Sequence, residues 1–180
     1  MTSTWFEDIL IPDGNDYLDG FTDPLLNNPT ADFDNTGGGY ELALFGHYLS
    51  SFVDENGQTD EKNSSIMLKI WENFKSNSTS PSAFVTIQSL LENQYNISFT
   101  EAWVDFISRN LFNGIDENFY YYGDQVLIDP ILTVTTLLSD SAVIELDLDS
   151  KSAAIESFLI DSLESLITIE HSIENFIGRV

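Results

Sequence analysis

Cysteine is absent from the 180 residues and basic side chains are scarce: six Lys and Arg stand against thirty Asp and Glu, a formal charge of −24. Without thiols there is no disulfide, no CxxC redox pair, no cysteine zinc site and no cysteine nucleophile. Nucleic-acid binders neutralise phosphates with Lys and Arg, and here the first basic residue is Lys62, after thirteen acids. Anionic membrane surfaces are excluded on the same ground. Neither nucleic acid nor membrane is therefore an expected partner. No apolar run nears the roughly 20 residues that cross a bilayer. The opening Met-Thr-Ser-Thr-Trp-Phe-Glu-Asp has neither the basic start nor the apolar core of a signal peptide. Histidine occurs only twice, at His47 and His171, with no His-Glu-x-x-His around either. No Gly-x-Ser-x-Gly elbow occurs. Gly37-Gly38-Gly39 lacks the basic residue of a phosphate loop.

What is present argues for a folded chain. Aromatics make up 13% of the residues, with thirteen Phe and seven Tyr, whereas disordered acidic chains are poor in them. Trp5 to Leu10 is a short apolar segment, followed by a polar stretch to Gly39 punctuated by Pro12, Pro24 and Pro29. Within it Tyr17, Leu18 and Phe21 have the spacing of one helical turn pinned to a core. Tyr40, Leu44, Tyr48 and Phe52 then recur every four residues, with Leu42, Phe45, Leu49 and Val53 alongside. That width of apolar face predicts a central, buried helix. Ile66, Met67, Ile70, Trp71 and Phe74 mark the next. A third follows Ser80 as N-cap and Pro81. A fourth opens on Ser98 and Glu101, spaced as a capping box, and stops at Asn113-Gly114.

After Asn118 the β-branched and aromatic content favours extended structure, and Ala142 to Asp149 alternates apolar and acidic residues. Residues 155–180 fit either one long amphipathic helix or three short strands, with Gly178 favouring strands. The expected fold class is therefore α+β. A helical subdomain of four to five helices covers 1–115, a linker 116–130, and the start of a short β-rich module 131–180.

Candidate chemistry is sparse. His47 follows Gly46 on the central helix among aromatics, which predicts a structural histidine that hydrogen-bonds locally. His171, beside Glu170, reads the same way. A Ser-His-Asp triad assembled from distant residues remains open, since Ser and Asp abound. Hard cations choose oxygen ligands, so Asp13, Asn15, Asp16 and Asp19, crowded into one turn, are calcium candidates. Asp54, Asn56, Gln58 and Asp60 alternate in a second turn, but Thr59 stands where an EF-hand loop needs glycine.

The order of residues is more specific than any one motif. Ser3-Thr4-Trp5-Phe6-Glu7-Asp8 is followed by Asn15-Asp16-Tyr17, Phe21, Asn28-Pro29, and the Gly39-Tyr40 pair before Leu44-Phe45-x-x-Tyr48-Leu49. Ile70-Trp71-Glu72, the Phe99-x-x-Ala102-Trp103-x-x-Phe106 helix and Asn110 come after. Over about residues 3–130 this succession resembles the part of a family of secreted zinc metalloprotease-like proteins of marine and gliding bacteria that follows their metal-binding helix. The resemblance implies that the HExxH helix and a third, glutamate ligand precede Met1. No zinc ligand, general base or other cofactor site would then lie in this chain, and zinc would belong to the complete family member. Glu7 and Asp8 would be acids supporting the ligand helix. A peptide or protein substrate, an extracellular or cell-surface location, and the missing N-terminal part as partner follow from the same resemblance. On this expectation the chain is a catalytically incomplete fragment or a degenerate relative of such a protein, with a scaffold or substrate-side role only. The alternative is a free-standing acidic α+β interaction module, stabilised by calcium.

Overall fold

The computed structural model describes residues 1–15, 17, 18, 42–76, 82–111, 113 and 117–128, with two short paired segments further on. Helix α1 (Thr2–Leu10) turns Trp5 and Asp8 inward and Phe6, Glu7 and Leu10 outward. The central helix α2 (Ala43–Tyr48) is buried at every position and widens into a π turn over Leu49–Val53, where the Asp54 N–H donates to the Leu49 carbonyl at 2.9 Å. Helix α3 (Ile66–Ser76) buries Ile66, Met67 and Ile70. Helix α4 (Ala83–Leu90) buries Thr86, Ile87 and Leu90 and also ends in a π turn, over Leu91–Tyr95. Helix α5 (Phe99–Leu111) buries Phe99, Ala102, Trp103, Phe106, Ile107 and Asn110.

Phe45 is the centre of the core. It meets Phe99, Trp103 and Phe106 edge-on at centroid distances of 5.8, 5.0 and 5.2 Å. Such pairs add roughly 0.5–1.5 kcal/mol each beyond their buried area. The helix ends follow their sequence signals closely. Ser98 Oγ accepts from the Glu101 N–H while Glu101 Oε2 accepts from the Ser98 N–H, a reciprocal capping box. The third expected helix is capped two residues later than the sequence suggests: Ser82, not Ser80, accepts from the Val85 N–H at 3.2 Å.

Residues 117–128 return over the core as two 3-10 turns, Glu117–Phe119 and Gly123–Leu127, where extended structure was expected. Three buried amides fasten them to the end of α5. Asn113 Nδ2 donates to the Gln125 and Ile128 carbonyls, Gln125 Oε1 accepts from the Tyr121 N–H, and Tyr121 donates to Asn110.

The expected α+β class is corrected: the described residues form a helical fold, without a β-rich module. Extended pairing there is confined to Leu137–Leu138 beside Leu159–Ile160, parallel and two residues long. A stable sheet needs three or more strands or a covering helix, and among the described residues this pair has neither; the alternating segment Ala142–Asp149 lies outside them. The remaining residues of 131–180, including His171, lie outside the described ones.

Candidate functional site

Where α1 crosses α2, a buried polar cluster interrupts the apolar core. Its entry point is Gly46: a Cβ there would stand 3.1 Å from Met67 Cε and 3.3 Å from Trp5 Cβ, so only glycine admits both neighbours without displacement. The next residue, His47, is fully buried. Its Nδ1 lies 2.9 and 3.1 Å from the two carboxylate oxygens of Glu61, which comes from the 3-10 turn Glu61–Asn63. Its Nε2 points at Asp8 of α1, 3.6 Å from Oδ2. That is too long for a hydrogen bond. The imidazole is held between two phenol rings, Tyr122 stacked at 4.6 Å and Tyr17 at 5.4 Å, whose hydroxyls join at 3.2 Å.

Glu61 is well supplied with donors. Besides His47 it receives Trp5 Nε1 at 2.7 Å and the Ser50 hydroxyl, while the Trp5 indole also reaches Ser50 Oγ at 2.9 Å. An ionised carboxylate can only accept, so this set favours His47 with its proton on Nδ1. The opposite side is poorly supplied. Asp8 Oδ1 and His47 Nε2 are both buried without a hydrogen-bond partner, as are Thr4 Oγ1 one turn before Asp8 and Asn15 Oδ1. Burial pushes the Asp8 carboxyl up to about 6; His47 works against this, and the negative charges of Asp124 and Glu61 add to it. Burial likewise raises the Tyr17 and Tyr122 hydroxyls.

Of the sequence candidates, the structure brings Asp8 and His47 together and leaves Glu7 exposed on the outer face of α1. Asp13 is exposed and Asn15 half-buried, while Asp16 and Asp19 lie outside the described residues. Asp54, first of the alternating acids, is a buried cap. Its carboxylate accepts from the backbone N–H of Asn56, Ser65 and Ile66 and from the Ser64 hydroxyl at 2.8–3.2 Å. Burial would raise its pKa, but these hydrogen bonds outweigh that and hold it below the ordinary value. Gln58 and Asp60 serve the Phe52 carbonyl and the Lys62 N–H. Among the described residues, no three His, Asp or Glu side chains converge as a metal site.

Sequence reading missed Glu61, Ser50 and Tyr122 as partners of His47, and Trp5 as a donor to Glu61 and Ser50. Trp5 stands 45 residues from Ser50 and 56 from Glu61, and no local period connects them. Ser50, one turn after Gly46, was the legible signal: its hydroxyl reaches the Gly46 carbonyl at 2.8 Å.

No family model, curated protein or solved structure matches the chain.

Proposed function

We propose that the chain is a scaffold that docks another polypeptide on the outer face of α3. The observation that carries this reading is the exposure of Leu68 at 61%, Trp71 at 58% and Phe74 at 39% on one regular helix. Trp is the side chain most often found at the energetic centre of interfaces. Burying such residues is worth roughly 25 cal/mol per Å². Lys69 and Lys75 on the same helix outnumber its one acid, Glu72, in a chain of net charge −24. An apolar anchor flanked by carboxylates is the complementary partner. The buried His47 cluster serves the fold in this reading, since its imidazole has no exposed surface to offer a substrate.

The test is a photoreactive residue at position 68 in the native host. A discrete adduct that is lost in Trp71→Ala, with the helical circular dichroism retained, supports the reading. No adduct, or scattered adducts indifferent to Trp71, contradicts it.

A second reading keeps the scaffold and gives it the metalloprotease-like setting of the sequence resemblance. Phe6, Leu10 and Ile11, 54–64% exposed along and just after α1, favour it as a surface for an adjoining helix of a longer protein. Zinc would belong to that longer protein. Titration of the isolated chain with zinc is then expected to show no tight stoichiometric site; finding one contradicts this reading.

A further inference from the structure

We infer that Asp8, His47 and Glu61 form a proton-binding latch, in which one proton shared between Asp8 Oδ2 and His47 Nε2 seats α1 on α2. The geometry requires that proton. With Glu61 ionised and accepting at Nδ1, a neutral His47 presents a bare lone pair at Nε2. Asp8, if ionised, presents only lone pairs in return. Two acceptors then face each other across 3.6 Å, and neither Nε2 nor the second carboxylate oxygen, Oδ1, has a hydrogen-bond partner. One added proton supplies the missing donor: on the ring it gives a charge-assisted N–H···carboxylate bond, on the carboxyl a neutral O–H···N bond, and in either form the two groups draw in from 3.6 Å.

The surroundings sharpen the need. The charges that act on Asp8 are His47 from α2, Glu61 from the 3-10 turn before α3, and Asp124 from the turn Gly123–Leu127. Tyr17 and Tyr122 close the cluster over the ring, and their hydroxyls remain protonated through the range of interest. Among these groups three are acids and one is a base. An unprotonated latch therefore collects carboxylate charge in a space that holds no compensating Lys or Arg among the described residues.

The linkage has a definite sign. The closed form binds a proton at Asp8 with a midpoint of about 6, against 3.8 when the carboxyl is free in water. Seating is strongest below the lower value, weakens as pH rises between the two, and levels off above the higher one. Over that window of about two pH units, the opening equilibrium of α1 is expected to rise roughly tenfold per unit, to about 100-fold.

Amide hydrogen exchange of the full chain between pH 4 and 8, expressed as protection factors, reads this directly. The latch predicts that α1 amides lose protection as pH rises to about 6 and then plateau, while α5 amides change little. Asp8→Asn should flatten the α1 profile, because the amide supplies a permanent donor to Nε2. Flat α1 protection in the wild type, or an unchanged slope in Asp8→Asn, overturns the proposal. Should that variant fail to fold, the ¹⁵N shifts of His47 in the wild type decide. A proton arriving at or bridging to Nε2 in step with the α1 change supports the latch, and a Nε2 signal indifferent to that change rejects it.

Discussion

Asp54 and Asp8 are both buried aspartates that anchor a neighbouring segment to the central helix, and their surroundings differ in one respect. Asp54 receives three backbone N–H groups and a hydroxyl. Among the described residues Asp8 receives none of these; its Oδ2 faces an imidazole nitrogen from 3.6 Å and its Oδ1 is unpartnered. The same side chain at similar burial is consequently driven in opposite directions, below the ordinary carboxylate value for Asp54 and up to about 6 for Asp8. Burial alone does not decide the charge of a carboxyl; the donors that reach it do. A completed cap is a fixed structural element, whereas an unfilled one is a place where pH can act.

The largest effect is expected from removing the completed side. Asp54→Ala leaves the start of α3 and the turn Glu55–Gly57 without their acceptor, which should cost about 4 kcal/mol in urea unfolding. Gly57→Ala attacks the same loop sterically. A Cβ there falls on the Ser50 carbonyl, and about 3 kcal/mol is expected from the backbone shift that must follow. Asp8→Asn goes the other way. At pH 8 it should stabilise the fold by about 1–2 kcal/mol, because the wild-type carboxylate is then ionised and unmatched. Ser98→Ala is the local control: it breaks one capping box on the exposed end of α5 and should cost about 1 kcal/mol at any pH between 5 and 8. If Asp8→Asn destabilises at pH 8 as Ser98→Ala does, the contrast between the two aspartates fails.

The acid limb of stability follows from the same pair. Asp54, held low, contributes stability that is present above the unfolded carboxylate value and is lost as pH falls through its folded one. Asp8, held high, contributes stability that is complete below 3.8 and is lost as pH rises towards about 6. Wild type and Asp8→Asn should accordingly diverge between pH 4 and 6 and run parallel above, as chemical denaturation at fixed pH will report.

The helical part of the fold was legible because its signals are local. Four-residue recurrence and the Ser98–Glu101 pair operate within one or two turns, and the structure buries Leu44 and Tyr48 and forms the capping box, while Phe52, in the π turn, is exposed. The shift of the α4 cap from Ser80 to Ser82 reflects two serines that flank one proline equally well as cap candidates. The β-rich module was read from alternation at 142–149 and β-branched content at 131–138. Those patterns state a preference for extended backbone, not which segment pairs with which. The site was only half legible. His47 stood out as a histidine among aromatics, expected to hydrogen-bond locally; the structure buries it fully and pairs it with Glu61, fourteen residues on. Its partners Asp8, Glu61 and Tyr122 come from three separate segments. Only tertiary packing brings them together: the resemblance named Asp8, but nothing local marked Glu61 among thirty acids.

One measurement tests the contrast directly: a ¹³C NMR titration of the Asp8 and Asp54 side-chain carboxyls in a single wild-type sample. The account predicts a midpoint near 6 for Asp8 and one below the ordinary 3.8 for Asp54. An Asp8 midpoint at or below 3.8 would contradict it, since the carboxyl facing His47 would then have its donors after all.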